Sequence, residues 1–206
     1  EDDIRNCKPE AIKKYSAALW DKVEFYKFEQ YIFFKQWSAL KNYANENGIE
    51  IIGDIPIYVS LDSADVWIFQ LDKNRKPKKV AGCPPDAFCM EGQLWGNPLY
   101  DWKALRQSGY VWWIRRISAS RKMYDVIRLD HFRGFEAYYA INAEDENAKN
   151  GVWEKGPGMA LFKAIKKHDP EVKIIAEDLG HLTEGVHELL KECGFPGMKI
   201  LQFAFD

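Results

Sequence analysis

Cysteine is scarce in this 206-residue chain: Cys7, Cys83, Cys89 and Cys193 form no C-x-x-C pair and have no histidine at metal-ligand spacing. That excludes a zinc ribbon or a disulfide framework and points to free thiols in a reducing cytoplasm, with no metal and no cofactor expected. No apolar run approaches the roughly 20 residues of a membrane-spanning helix, so no membrane partner is expected. An excess of one charge is also missing, with 29 Lys and Arg against 31 Asp and Glu. Nucleic-acid binding needs a concentrated basic face and is excluded on that ground; the short basic runs Lys73 to Lys79 and Lys163 to Lys167 read as solvated surface. Neither G-x-G-x-x-G nor a P-loop follows any strand-like stretch, which removes the usual nucleotide sites. The chain starts at Glu1 rather than Met, and a longer natural chain is expected.

Aromatic residues, by contrast, are abundant: eight Trp, ten Tyr and twelve Phe. Rings of this kind fill cores by default, but in loops beside Asn, Asp and Gln they also suit the apolar faces and hydroxyl edges of sugars.

Periodicity divides the chain into a helical segment, 1–48, and an alternating helix and strand region, 49–206. Pro9 suits a first helical turn, with Ile12, Tyr15 and Leu19 following. Phe33, Trp37, Leu40 and Ala44 mark a longer helix that ends near Gly48. Ile49 to Val59 is an apolar run of the kind that forms a strand buried on both faces of a parallel sheet. Residues 60–102 show little periodicity, apart from a charged hairpin-like piece around Asp72 to Arg75, and are expected to overhang a site as a long loop. A helix over about 109–123, with Trp113, Ile117 and Ser120 on one face, leads into a strand at Asp125. An irregular stretch follows, then a helix over 159–168, a strand over Val172 to Leu179, a helix N-capped by Thr183 and stopped at Gly194, and a strand-like end at Met198 to Phe205. Such alternation implies βαβ units, in either a doubly wound sheet or part of a (β/α)₈ barrel.

The placement of acids favours the barrel. Asp54, Asp130 and Glu177 each fall at or near the C-terminal end of a different strand, where barrel enzymes assemble their sites. In Asp125 to Phe135, alternation sends Val126, Arg128 and Asp130 to one face and Ile127, Leu129 and His131 to the other. Arg128 beside Asp130 is either an anchoring ion pair or the support of a reactive carboxylate. The acids Glu177 and Asp178 either compensate a helix N-terminus or supply a second reactive group. Two carboxyl groups across a cleft suit glycoside chemistry: the one beside an arginine serves as nucleophile, and Glu177, preceded by Ile174, Ile175 and Ala176, as proton donor.

Seven stretches then carry a family resemblance: Gly53 to Val59, Asp62 to Trp67, Ala81 to Asp86, Gly92 to Tyr100, Arg128 to Phe135, Lys155 to Gly158 and Ala176 to Gly180. Together they resemble amylomaltase, the bacterial 4-alpha-glucanotransferase or disproportionating enzyme. The resemblance implies an α/β fold, a partial (β/α)₈ barrel of about four parallel strands, the third to the sixth of the eight. It implies a retaining transferase of malto-oligosaccharides and starch- or glycogen-derived glucan. Asp130 would be the nucleophile and Glu177 the acid and base, with Arg128 holding Asp130. Asp54 would support that arginine or the sugar, with His131, Gln93, Trp95, Asn97 and Tyr58 also binding substrate. Tyr58 and Phe132 suit either sugar stacking or core packing. Two departures stand out. Ala87 occurs where many relatives carry Tyr, and the family's third carboxylate, in a His-Asp pair, is expected beyond Asp206. A fragment inactive alone is therefore expected, missing the remainder of its own barrel, with dimerisation through exposed strand edges as a hazard. An α-glucan hydrolase and a non-catalytic glucan-binding or assembly fragment are the alternatives.

Overall fold

The computed structural model describes residues 2–5, 8–63, 65, 76–87, 89–180 and 182–205. The hairpin-like piece at Asp72 to Arg75, part of the Asp62 to Trp67 motif and Cys7 lie outside the described residues. The chain divides into two compact units, Glu1–Ile51 and Ile52–Asp206.

The first unit is helical: α1 (Asp2–Arg5), α2 (Pro9–Ala18) and α3 (Trp20–Glu46). Pro9 opens α2, where a missing N–H costs nothing. α3 ends through Gly48 at φ +75°, and the Ile49 N–H donates to the Ala44 carbonyl at 2.9 Å. That left-handed step is the glycine stop expected from the sequence.

The described residues of the second unit form two sheets. β1 (Ile52–Ile55), β4 (Val126–Leu129) and β7 (Ile174–Ala176) form a parallel sheet in the order β1-β4-β7. β4 is central, with Asp54 opposite Arg128 and Arg128 opposite Ile175. Helices α4 (Trp102–Gln107) and α5 (Val111–Met123) precede β4, α6 (Met159–His168) precedes β7, and α7 (Glu184–Cys193) follows it. These are consecutive strand and helix units of a partial (β/α)₈ barrel.

One set of strand side chains makes the core. Ile55, Ile127, Leu129, Ile174 and Ala176 are buried against Trp113 and Ile117 of α5, Leu161, Phe162 and Ile165 of α6, and Val186 and Leu189 of α7. Trp113, Ile117 and Ser120 share the buried face of α5, as their spacing requires. Full burial of a side chain such as Phe162 contributes about 1.5–3 kcal/mol.

Three strand expectations are not met by the structure. First, β1 is buried on one face only: Gly53 and Ile55 are inside, whereas Ile52 and Asp54 are exposed. The exposed face is the one that carries Arg128 on β4, so its charges meet solvent rather than apolar side chains. Second, the stretches expected to be irregular contain a four-stranded antiparallel sheet. β2 (Lys79–Cys83) and β3 (Gln93–Pro98) come from the connection after β1, and β5 (Ala137–Asn142) and β6 (Val152–Lys155) from the connection after β4, in the order β3-β2-β5-β6. Gly82, Gly96 and Pro98 disfavour strand locally, and partners as distant as Lys79 and Asn142 override that preference. Third, the expected strand at Met198 to Phe205 is not formed; Leu201–Phe205 is a 3₁₀ turn instead. Among the described residues the parallel sheet therefore has three strands rather than about four. Thr183 does occupy the N-cap of α7, but its hydroxyl makes no capping bond.

Candidate active site

The site begins where β4 ends. Arg128 Nη1 donates to Asp130 Oδ1 at 2.9 Å and to Asp54 Oδ1 at 2.5 Å. Partial burial works against the Arg128 charge, but the two carboxylates outweigh it and raise its pKa above the usual arginine value. Asp54 is the more solvated partner, its side chain 60% exposed against 40% for Asp130. Surface geometry of this kind gives orientation more than stability.

His131 departs from the strand pattern. Alternation would carry it to the buried face with Ile127 and Leu129, but its backbone turns left-handed at φ +50° and ψ +50°. The turn brings its ring edge-on to Trp95, with centroids 4.9 Å apart, and into the cavity that Asp130 lines. Gly134 makes room for it: a Cβ there would lie 2.9 Å from His131 Cδ2 and 2.8 Å from Ile57 Cδ1. Burial, with Arg133 nearby, pushes the His131 pKa down to about 4 against a smaller opposing pull from Asp130, so the imidazole is neutral at ordinary pH.

Glu177 follows the last residue of β7, and backbone donors fix its carboxylate. Oε2 accepts from the His131 N–H at 2.9 Å and Oε1 from the Leu179 N–H at 2.8 Å. The main chains are joined as well, Glu177 N–H to Leu129 O at 2.9 Å and Phe132 N–H to Glu177 O at 3.0 Å. The residue after Asp130 thus holds the second carboxylate, so parallel pairing of β4 and β7 sets both.

A cavity of about 200 Å³ lies beside them, lined by Pro56, Ile57, Tyr58, Trp95, Asn97, Asp130 and His131. Trp95 reaches it from β3, its indole N–H donating to Gln93 Oε1 at 3.0 Å. Gln93 therefore orients the ring rather than lining the cavity. Asn97 lines the cavity while its amide donates to the Val59 carbonyl at 3.0 Å. Tyr58 is buried and stacks on Tyr100 with centroids 6.1 Å apart, and burial drives its phenol pKa up. It combines a core position with one edge on the cavity. Phe132 is fully buried and stacks on Phe162 at 5.4 Å, which assigns it to the core. Ala87 is exposed and offers no ring.

Several contributors were not picked out from the sequence. Tyr100 Oη donates to the Ile57 carbonyl at 2.7 Å and Arg116 Nη1 to the same oxygen at 3.3 Å, fixing the segment that carries Tyr58. Tyr100 lay inside a recognised run, which was a usable signal. Arg116 and Met198, whose sulfur accepts from Arg128 Nε at 3.2 Å, gave none, because their contacts join distant segments.

The sequence pattern of the 4-alpha-glucanotransferase family matches residues 1–206. A 4-alpha-glucanotransferase of Clostridium butyricum is 55% identical over 208 residues, covering 98% of this chain and 43% of that protein. The chloroplastic/amyloplastic 4-alpha-glucanotransferase of Arabidopsis thaliana is 45% identical, covering 98% of this chain and 36% of that protein. The solved amylomaltase from Streptococcus agalactiae, in complex with acarbose, superposes with a TM-score of 0.96 at 45% identity, over 100% of this chain and 42% of that one. The chain thus spans about two fifths of the length of the relatives it matches. A match over its whole length, with relatives this similar, means that the chain belongs to the 4-alpha-glucanotransferase family.

Proposed function

We propose that this chain is catalytic core of a 4-alpha-glucanotransferase, moving α-1,4-glucan segments between malto-oligosaccharides by a retaining double displacement. Asp130 attacks the anomeric carbon while protonated Glu177 gives its proton to the departing glycosidic oxygen, leaving a glucosyl ester on Asp130. An acceptor sugar hydroxyl then loses its proton to Glu177 and attacks the same carbon, releasing the carboxylate. Arg128 holds Asp130 in its attacking orientation, and Asp54 shares that guanidinium. Trp95, Tyr58, Asn97 and His131 bind sugar at the cavity, and Gln93 fixes Trp95. The observation that carries this reading is the His131 N–H bond to Glu177, which ties the second carboxylate to the residue next to Asp130.

The chain alone is inferred not to turn over glucan. Among the described residues β1 and β7 are the outer strands of the parallel sheet, and a closed barrel needs a neighbour on each. Longer and shorter products appearing when the chain alone meets maltotriose would overturn this. Catalysis is tested in a full-length protein, with this chain replacing the aligned stretch of the Clostridium butyricum relative. Asp130→Asn should lower kcat on maltotriose by on the order of 10⁴-fold while maltodextrin still binds. Unchanged turnover would remove Asp130 from the mechanism, and new reducing ends without longer products would favour a hydrolase.

A further inference from the structure

The cluster around Arg128 has a support that the mechanism above does not use. Arg128 Nη1 serves both Asp54 and Asp130, so the tilt of the guanidinium decides how the two share it. Its Nε donates to Met198 Sδ at 3.2 Å, and this contact fixes the tilt. A thioether is an uncharged, weak acceptor on a flexible side chain, so it can hold the guanidinium in place without drawing its charge from Asp130.

Met198 is itself held. Its N–H donates to Asp178 Oδ1 at 2.6 Å, and two residues earlier the Pro196 carbonyl accepts from the Ala176 N–H at 2.9 Å. Gly197 lets the segment come this close, because a Cβ there would lie 2.3 Å from Asp178 Oδ2 and 2.6 Å from its Cγ. The Asp178 carboxylate is thus engaged by the Met198 backbone, while the neighbouring Glu177 is left to face Asp130's segment through the His131 N–H. Asp178, Gly197 and Met198 form a clasp at the Arg128 Nε, whereas the carboxylates are held at Nη1.

We propose that Asp178 and Met198 are positioning residues: Asp178 holds Met198, and the Met198 sulfur sets the Arg128 guanidinium that orients Asp130. This rests on the proposed role of Asp130 as nucleophile. Neither residue is required to touch glucan, so the effect should fall on kcat rather than KM.

The first test compares Met198→Leu with Met198→Gln in the full-length protein. Packing alone makes Leu the gentler change, whereas the clasp needs an acceptor, which only the Gln amide oxygen supplies. Met198→Leu should lower kcat about tenfold with KM within about twofold, and Met198→Gln should retain more activity than Leu. Asp178→Asn keeps an acceptor oxygen and should stay within about threefold, whereas Asp178→Ala should fall about tenfold. A Leu variant as active as wild type, or a loss carried by KM, would overturn the proposal.

The second test needs no turnover. In a carbon-13 methionine-methyl spectrum of the full-length protein, the Met198 signal should move on Arg128→Lys, which removes Nε, and on Asp178→Ala. A signal unmoved by both would overturn the clasp. Moved signals in a protein whose full-length form transfers nothing would support the clasp while defeating the glucanotransferase reading.

Discussion

In the proposed mechanism the two sheets of the second unit do different work. The parallel sheet presents charge: Asp54, Arg128, Asp130 and Glu177 stand at its strand ends, held by strand pairing and backbone N–H groups. The antiparallel sheet, built from the long connections after β1 and β4, presents a ring, Trp95, on a strand that passes through Gly96 at φ +77°. Chemistry needs groups fixed to a fraction of an ångström, and the interior of a sheet supplies that. The proposed sugar binding needs an aromatic surface beside those groups, and the inserted hairpin carries Trp95 there.

This division can be broken from either side. After Asp130→Asn, the largest effect is expected from Arg128→Ala, which leaves Asp54 and Asp130 side by side without their shared cation. In the full-length protein kcat should fall on the order of 10³-fold with little change in KM. A loss confined to KM would mean that the parallel sheet binds substrate rather than performing the chemistry.

Gly82→Ala attacks the other sheet. The new Cβ would lie 2.2 Å from the Gln93 carbonyl oxygen and 2.3 Å from Ile141 Cδ1, so β2 and β3 must part. Urea unfolding should show a loss of about 1–3 kcal/mol. If stability holds, the β2 to β3 contact is not what anchors Trp95.

His131 touches both sheets, bonded to Glu177 through its backbone and packed on Trp95 through its ring. With its folded pKa depressed to about 4, the unfolded chain takes up this proton first. Stability is therefore complete above about pH 6.5 and falls as the pH drops toward 4. Between pH 7 and pH 5 the His131 contribution to that loss should be about 2 kcal/mol, and His131→Gln should remove this part of the slope. An identical slope in the variant would show that the ring is not held neutral.

The smallest effect is expected from Trp95→Ala. Loss of one stacking surface should raise KM for maltotriose about tenfold, with kcat changed less. A collapse in kcat instead would move Trp95 from binding to chemistry.

Much of the parallel sheet was legible because its strands and helices carry their own signals. The α5 face of Trp113, Ile117 and Ser120, the span of α6 and the glycine stop after α3 all follow from local spacing. The antiparallel sheet was missed because Gly82, Gly96 and Pro98 argue against strand locally, although Tyr138, Tyr139 and Ile141 of β5 did carry a strand signal. His131 was assigned to the wrong face because a left-handed backbone at a residue other than glycine has no reliable mark in sequence.

The sequence by itself determined which acids lie at strand ends, that Arg128 stands beside Asp130 and which family the motifs resemble, because alternation and motif spacing are properties of neighbouring residues. Only the tertiary structure decided that Asp54 shares Arg128, that the His131 backbone holds Glu177, that Gln93 serves Trp95, and that Met198 backs the guanidinium. Apart from the two-residue Gln93 to Trp95 bond, each joins residues 46 to 74 positions apart. Such contacts form only once the strands have paired, and nothing in local sequence encodes their geometry.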